Sequence, residues 1–431
     1  MIACRKLYHW LLAWAAYFWY GRPSKKMIIV GVTGTKGKSS ACRFIASVLE
    51  SGGNKVGMLT TVEFQIADRR IINDKKMTML GRGRIQKMLR EMVQAGCKYA
   101  VIETSSEGIL QYRHIGINYD IAVFTNLGTE HSERHGGFKN LKRDKGVLFA
   151  GLAKKPNKII GGKKVDKVIV VNSDDANADY YFSFKADKKL AFGITVPTAD
   201  VRGQIIDSGL KTTEFTINND RYHIHVPGSF NVYNALAAVA VGRSQSINEE
   251  KIKSGLSAVS GIAGRMEFID EGQPYLVVVD YAHEPMSLTE LFSNLRKYIG
   301  IKKRIISVVG SDGGGRDKLK RAEMGRIAGE LTDVVIITDV NCYDEDPTEI
   351  AEMLAVGART AGKRDGADLV VQTDRKLAIQ KALQIAEAGD VVAITAKGTE
   401  PYIAAANKRK IPWDDRTVAR EEIKYVAQKK D

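Results

Sequence analysis

Short apolar runs alternate with stretches of helical periodicity along most of this chain. From Ile28 to about residue 170 the order is MIIVGV, ACRFIASVLES, KVGMLTTVEF, RIQKMLREMVQAG, YAVIETS, DIAVFTNL and KVIVVN. A brief apolar run closed by polar or glycine residues is the pattern of a strand buried on both faces. Its alternation with amphipathic helices predicts a parallel sheet covered on both sides. Residues 190–227 change character, with LAFGITV, ADVRGQII, TEFTINN and RYHIHVPG reading as antiparallel strands and turns. NVYNALAAVAVG, Asn231 to Gly242, then reads as an Ala-rich helix. Beyond the small residues SGIAGR, near 260–265, the runs PYLVVVDYA, RIISVVGS, DVVIITDV and DVVAITAKG are again strand-like, joined by helical PMSLTELFSNLRKYI and RAEMGRIAGEL. In open α/β sheets, ligands collect outside the carboxyl ends of the strands, where the polar residues of these runs fall.

The richest of those ends is GVTGTKGKSS, residues 31–40, which lies between a buried strand and a helix. That order is the one a triphosphate cradle requires. Gly31, Gly34 and Gly37 let backbone N–H groups close on phosphate, with Thr35 and Lys36 between them. Lys38 adds a mobile charge, Ser39 can reach a Mg²⁺, and Ser40 continues into the helix N-terminus, whose dipole favours anions. ATP or GTP binding is expected. The predicted architecture is therefore α/β: an apolar N-terminal segment (1–25), a P-loop central domain with a mostly parallel sheet (26–262), and a C-terminal Rossmann-like α/β domain (263–431).

Composition narrows the partners. With 431 residues, 44% hydrophobic and 27% charged, the chain has material for two or three cores, which excludes disorder and fibrous architectures. The net charge of +15 carries no RNA- or DNA-binding signature with it, so small polyanions are expected rather than nucleic acid. Much of the excess sits in surface-like runs such as Lys163-Lys164 and Lys408-Arg409-Lys410. Cys4, Cys42, Cys97 and Cys342 are far apart and form no CxxC pair, which argues against a zinc knuckle or a disulfide framework and for a reducing cytoplasm. Residues 7–20, LYHWLLAWAAYFWY, are almost wholly apolar, yet short of the roughly 20 residues a membrane span needs, and Gly21-Arg22-Pro23 ends them. Two readings stand open: a helix docked on its own protein, or a peripheral contact with the inner face of a membrane.

Further motifs follow in order. Glu103 ends YAVIE and is followed by Thr104, Ser105 and Ser106 in ETSSEGILQYRH; Thr78 precedes it in KKMTML; FTNLGTEHSERHG spans 124–136. Lys145 lies in KRDKGVLF, with Lys142 close by, and Asn231 and Asn234 lie in GSFNVYNALAA. Arg265 lies in AGRME, Asp280 and His283 in DYAHEP, Arg316 in GSDGGGRDKLKR, Asn341 in VNCYDEDP, and Lys397, Gly398 and Glu400 in KGTE. A strand-end carboxylate near a P-loop calls for a divalent cation. Asn231 has a competing reading as a helix N-cap.

In these motifs the chain resembles the ATP-dependent Mur ligases, and among them the MurE-type UDP-N-acetylmuramoyl-tripeptide synthetases, over about residues 26–405. The resemblance implies a ligase that transfers the γ-phosphate of ATP to a substrate carboxylate and lets an amine displace it, in peptidoglycan precursor synthesis. It implies that Lys38, Glu103, His131 and Lys145 are catalytic. Two Mg²⁺ ions are implied, held by Ser39, Glu103, His131 and Lys145, the last as a carbamate. ATP would be bound by Gly34 to Ser40 together with Asn231, Asn234, Arg265, Asp280, His283 and Arg316. Thr78, Ser105, Gln111 and Arg113 would hold the muramoyl peptide, with Asn341, Lys397, Gly398 and Glu400 at the substrate site of the second domain.

The pattern departs from the family in several places. Glu130 stands for the usual Asp, Thr399 for the His of KGHE, and Tyr343 for the Arg of the DNPR motif of diaminopimelate-adding members. A Tyr cannot make the bidentate guanidinium contact, so the amino acid added stays open. Only about 25 residues precede the P-loop strand, which leaves no room for the family's UDP-gripping N-terminal domain. The UDP part of the acceptor is then expected to be held weakly, held by a partner, or absent, as in a lipid-linked acceptor. Alternatives are a Mur-like ligase acting on a lipid-linked or folate-type polyglutamate substrate and, from another class, a nucleotide-dependent binding module. The ETSS-x-x-x-x-Q-x-R pattern favours the muramoyl peptide over folate.

Overall fold

The computed structural model describes residues 2–75, 77–128, 132–315 and 318–430. The chain divides into two compact units, Met1–Ser260 and Gly261–Asp431.

The first unit is built on one large sheet, with strands β1 (Ile28–Thr33), β2 (Val56–Leu59), β3 (Glu63–Ile66), β4 (Arg69–Ile72), β5 (Tyr99–Glu103) and β6 (Ile121–Phe124) in its first half. A small hairpin, β7 (Ile159–Ile160) and β8 (Lys163–Lys164), precedes β9 (Val168–Asn172), β10 (Lys188–Gly193), β11 (Val201–Ser208), β12 (Thr213–Ile217) and β13 (Asp220–Ile224). The order is β13-β12-β11-β10-β9-β6-β1-β5-β2-β3-β4, parallel from β11 to β2 and antiparallel at both edges. Every residue of β1 is buried, as expected of a central strand with helices on both faces.

The two faces of that sheet are covered differently. Residues 29, 100, 102, 122, 124, 169 and 171 alternate onto one face and share a core with Leu89, Leu148 and Tyr181. These come from helices α3 (Arg82–Gln94), α5 (Phe138–Leu152) and α6 (Ala178–Phe182); short α4 (Ser106–Leu110) packs on α5. Helix α2 (Lys38–Ser51) packs with the Ala-rich α7 (Phe230–Ser244) and with α8 (Glu249–Ser257). The N-terminal α1 (Ile2–Trp19) lies on α3.

The second unit carries β14 (Glu267–Ile269), β15 (Leu276–Val279), β16 (Ile305–Val309), β17 (Val334–Ile337), β18 (Leu369–Val371) and β19 (Val391–Ile394) in the order β14-β15-β19-β16-β17-β18. Within this sheet only β14 pairs antiparallel. Helices α9 (Pro285–Ile299), α10 (Leu319–Leu331), α11 (Pro347–Thr360), α12 (Arg375–Ile385) and α13 (Asp415–Lys430) complete it, with the hairpin β20 (Tyr402–Ala404) and β21 (Lys410–Pro412). This is the mixed α/β architecture the apolar pattern predicts.

Three local expectations are corrected. LAFGITV is not antiparallel: β10 pairs parallel with both β9 and β11, so the antiparallel part begins one strand later. KVGMLTTVEF is not one strand, because Thr60 and Thr61 turn the chain and β2 and β3 pair as a hairpin. Asn231 is not an N-cap. Ser229 occupies that position, and the Asn231 amide, inside the first turn of α7, donates to the Pro227 carbonyl at 2.7 Å.

Candidate active site

The P-loop leaves the carboxyl end of β1 and enters α2 at Lys38. Its shape requires glycine at two points. Gly34 has φ 154°, and a Cβ there would lie 2.0 Å from Thr125 Oγ1; Gly37 has φ 76°, and its Cβ would lie 2.4 Å from Asn234 Oδ1. The end of β6 supports the loop from beside it. The Asn126 side chain accepts from Lys36 N at 2.9 Å, its carbonyl accepts from Thr35 N at 2.9 Å, and Thr125 Oγ1 donates to the Lys36 carbonyl at 2.7 Å. Thr35 Oγ1 accepts from Gly128 N at 2.9 Å, and Lys38 Nζ donates back to the Thr35 carbonyl at 2.8 Å. Ser40 is buried at the start of α2.

Glu103, at the carboxyl end of the neighbouring β5, is buried against this loop. It accepts from Ser39 Oγ at 2.7 Å, from Thr61 N at 2.8 Å and from Thr61 Oγ1 at 3.0 Å. Thr61 Oγ1 also lies 2.9 Å from Thr78 Oγ1. A hydroxyl has one proton, so Thr61 Oγ1 shares it between the Glu103 carboxylate and Thr78 Oγ1. Three hydroxyls and a carboxylate thus form one chain of hard oxygen donors beside the phosphate cradle, the donor type that Mg²⁺ takes.

Lys145 extends from α5 into the same place. Its side chain is buried, and Nζ donates to the Gly34 carbonyl at 2.8 Å. Lys142, one turn earlier, instead lies over the Tyr180 ring at 4.9 Å. Next to Lys145, Asp144 Oδ2 meets His135 Nδ1 at 2.7 Å, both groups being buried. That contact joins the end of the TNL block to α5. Asn234 donates to Asn231 Oδ1 at 2.9 Å, which holds the amide pair of α7 against Gly37.

The expected acceptor residues lie on the α4 side. Ser105 caps α4, accepting from Gly108 N at 3.1 Å, and the Arg113 guanidinium reaches the Gln111 side chain and the Met79 carbonyl. Arg82, the first residue of α3, donates to the Gln111 carbonyl. Burial lowers the Arg113 pKa first, and neighbouring Arg82 lowers it further. Thr78 joins this group to Glu103 through Thr61.

The second unit holds the other expected residues. Asp280, at the end of β15, accepts from Met266 N and Ala282 N, both at 2.7 Å. Burial raises its carboxyl pKa, and the Arg265 guanidinium opposes that rise. Arg265 also lies over the Tyr281 ring at 4.6 Å. His283 Nδ1 donates to the Tyr281 carbonyl at 2.7 Å, which fixes the Nδ1–H tautomer. Around β19, buried Lys397 donates to Glu400 Oε2 at 3.0 Å and to Asn341 Oδ1 at 3.2 Å, and Asn341 Nδ2 donates to the same Glu400 oxygen at 3.0 Å. Gly398 sits against the Gly264 backbone. Glu345, held by Arg321 and by Gly315 N, has its carboxyl pulled down to about 2.

Glu130, His131, Arg316 and Asp317 lie outside the described residues. Sequence reasoning missed Thr61, Thr125, Asn126, His135 and Asp144 as parts of the site. The TNL block carried a signal for Thr125 and Asn126, since strand-end polar residues beside a P-loop are placed to hold it.

A glycine loop between a central parallel strand and a buried helix, faced by a strand-end carboxylate on the next strand, defines a P-loop nucleotide-binding protein. Residues 32–242 match the Mur ligase middle domain, and residues 264–398 match the Mur ligase glutamate ligase domain. A UDP-N-acetylmuramyl-tripeptide synthetase of Roseiflexus sp. (strain RS-1) is 38% identical over 419 residues, covering 95% of this chain and 81% of the relative. A UDP-N-acetylmuramoyl-L-alanyl-D-glutamate–2,6-diaminopimelate ligase of Solibacter usitatus (strain Ellin6076) is 34% identical over 417 residues, covering 96% and 80%. The solved structure of a diaminopimelate ligase of the same name superposes with a TM-score of 0.62 at 28% identity, over 94% of this chain and 79% of that one. The chain belongs to the Mur ligase family.

Proposed function

We propose that this chain is an ATP-dependent, ADP-forming ligase of the MurE type, which adds an amino acid to the carboxylate of a muramoyl peptide in peptidoglycan precursor synthesis. The observation that carries the reading is the convergence of Glu103 and Lys145, from two different elements, on one P-loop at 2.7 and 2.8 Å. Glu103 serves any P-loop that holds Mg²⁺ with its nucleotide; the buried Lys145, brought in from a second element, is what a loop used only for binding does not need.

In the reaction, a carboxylate oxygen of the acceptor attacks the γ-phosphorus of ATP and ADP leaves. The amine then attacks the acyl carbon, phosphate leaves, and the amine loses a proton. Backbone N–H groups of Gly34 to Ser39 and the Lys38 ammonium hold the phosphates in line. Bound Mg²⁺ would supply the charge neutralisation that lets an anionic carboxylate approach an anionic phosphate, the ions being held by Ser39, Glu103, His131 and Lys145, the last as a carbamate. Thr61 aligns Glu103, and Thr78, Ser105, Gln111 and Arg113 orient the acceptor. Arg265, Asp280, His283 and Arg316 bind nucleotide, and Asn341, Lys397, Gly398 and Glu400 bind substrate. Two ions and a carbamate at Lys145 are part of this reading. The carbamate would turn a buried cation into a bidentate anion next to the phosphates. The protein works in the cytoplasm, with residues 7–20 in peripheral contact with the membrane.

The test is to incubate the protein with ATP, Mg²⁺, muramoyl peptides and a panel of amino acids, measuring phosphate release and product mass. A product heavier by one amino acid residue, with one phosphate released per bond, is expected; phosphate release indifferent to the amine overturns the ligase reading. Lys145→Ala should lose at least about 100-fold in turnover and recover part of it with added formate or acetate. Unchanged turnover removes Lys145 from the mechanism.

A further inference from the structure

Helix α1 is apolar on two opposite faces, and the fold covers only one of them. Ala13 and Tyr17 are buried, with His9, Ala16 and Tyr20 partly covered on the same stripe. The docking is specific. Tyr17 packs over Gly116, Arg90 of α3 donates to the Tyr20 carbonyl at 3.2 Å, and Ser24 just beyond donates to the Gly116 carbonyl at 2.9 Å.

The opposite stripe is Tyr8, Leu11, Leu12, Ala15, Phe18 and Trp19, at helical spacings of three and four. All six are exposed, Phe18 at 55% and Trp19 at 83%. A contiguous stripe of large apolar residues is uncommon on a free surface and marks a contact.

The charge along the chain here says what kind of contact. The first acidic residue is Glu50; Arg5 and Lys6 precede the apolar stripe within α1, and Arg22, Lys25 and Lys26 follow the helix. Arg84, Lys87 and Arg90 are exposed along α3, and its one acid, Glu91, lies 3.9 Å from both Lys87 and Arg69. Aromatic side chains with a basic rim are the pairing an interfacial helix presents to anionic headgroups. Among the described helices none is long and apolar enough to cross a membrane, so α1 would lie along the surface. The helix that α1 docks on begins at Arg82, which touches Gln111 of the expected acceptor loop.

Resting on the proposed ligase function, we propose that the outer stripe of α1, with the basic edge of α3, seats the protein on an anionic bilayer surface, and that its acceptor carboxylate is borne by a molecule anchored there.

Vesicles of phosphatidylglycerol and phosphatidylcholine, compared with pure phosphatidylcholine, test the seat. The protein should co-sediment with the anionic vesicles, show a blue shift of tryptophan emission, and release as salt rises. Arg84→Glu with Lys87→Glu should weaken binding by about fivefold or more per site. Leu11→Ser with Phe18→Ser should abolish it while leaving the thermal transition and the turnover of free muramoyl peptide unchanged. No binding to anionic vesicles, or a dimer in sedimentation equilibrium that the Leu11→Ser, Phe18→Ser variant dissolves, overturns the proposal. A muramoyl peptide tethered to vesicle lipid should be ligated at least about tenfold more efficiently than the free peptide. Equal efficiency overturns the anchored acceptor. Ligation of free peptide without vesicles reads the ligase function separately.

Discussion

At the scale of single residues, the site depends on hydroxyls that position a carboxylate. Thr61 donates to Glu103 from both its backbone N–H and its hydroxyl, and the same hydroxyl reaches Thr78, so it orients the carboxylate without adding charge. Thr61→Val keeps the shape and deletes the donor. It should raise the Mg²⁺ concentration for half-maximal turnover by about 10-fold or more, with an unchanged thermal midpoint; a magnesium titration of phosphate release checks this. That Glu103 lies beside the P-loop was legible from a motif with a chemical reason, and that Lys145 does so was legible only through the family resemblance. Thr61 was not, because it follows an apolar run that reads as a continuous strand until the hairpin is seen. His135 and Asp144 were hidden for a different reason: they are nine positions apart, and only the return of α5 brings them together.

At the scale of elements, the amino ends of β1, β6 and β9 meet around a buried cluster of opposite charge. Asp120 accepts from Ile29 N at 2.9 Å and pairs with both Lys158 and Lys167. Burial lowers the Lys158 pKa from 10.5 to about 8, with Asp120 opposing the shift. Below about 8 the ammonium is charged in folded and unfolded chains alike, and folding carries the desolvation cost. Between about 8 and 10.5 the unfolded chain binds the extra proton, so this lysine's contribution to stability rises with pH. Relative to Lys158→Met, the wild-type protein should gain up to about 1.4 kcal/mol per pH unit across that window. Urea unfolding of both proteins from pH 7 to 10.5 measures the difference, and a constant difference contradicts the depressed pKa. Element type followed from periodicity almost throughout the parallel core, where apolar runs are continuous. At β10 the element type held and the pairing direction failed, because a half-exposed strand carries the same pattern in parallel and antiparallel pairing.

At the scale of the whole molecule, each unit carries its own core and its own buried ion pairs. Arg375 and Asp415 are both buried in the second unit, joined at 2.7 and 2.8 Å, with Trp413 Nε1 donating to the same carboxylate. Removing one partner leaves an unpaired charge in the interior. Arg375→Met should therefore destabilise the second unit by about 3–5 kcal/mol. Calorimetry should show one lowered transition and one unmoved, whereas a uniform shift of all melting would show that the units unfold together. The small residues of SGIAGR separate two sets of strand runs, and the chain divides into its two compact units after Ser260.

Asn126 grips the nucleotide loop with both its side chain and its carbonyl, and Thr125 holds the same turn from one residue earlier. A loop so braced has little freedom left to lose when triphosphate arrives. Capture should then be fast and limited by encounter, and hydrogen exchange of the Thr35 and Lys36 amides should already be slow in the nucleotide-free enzyme.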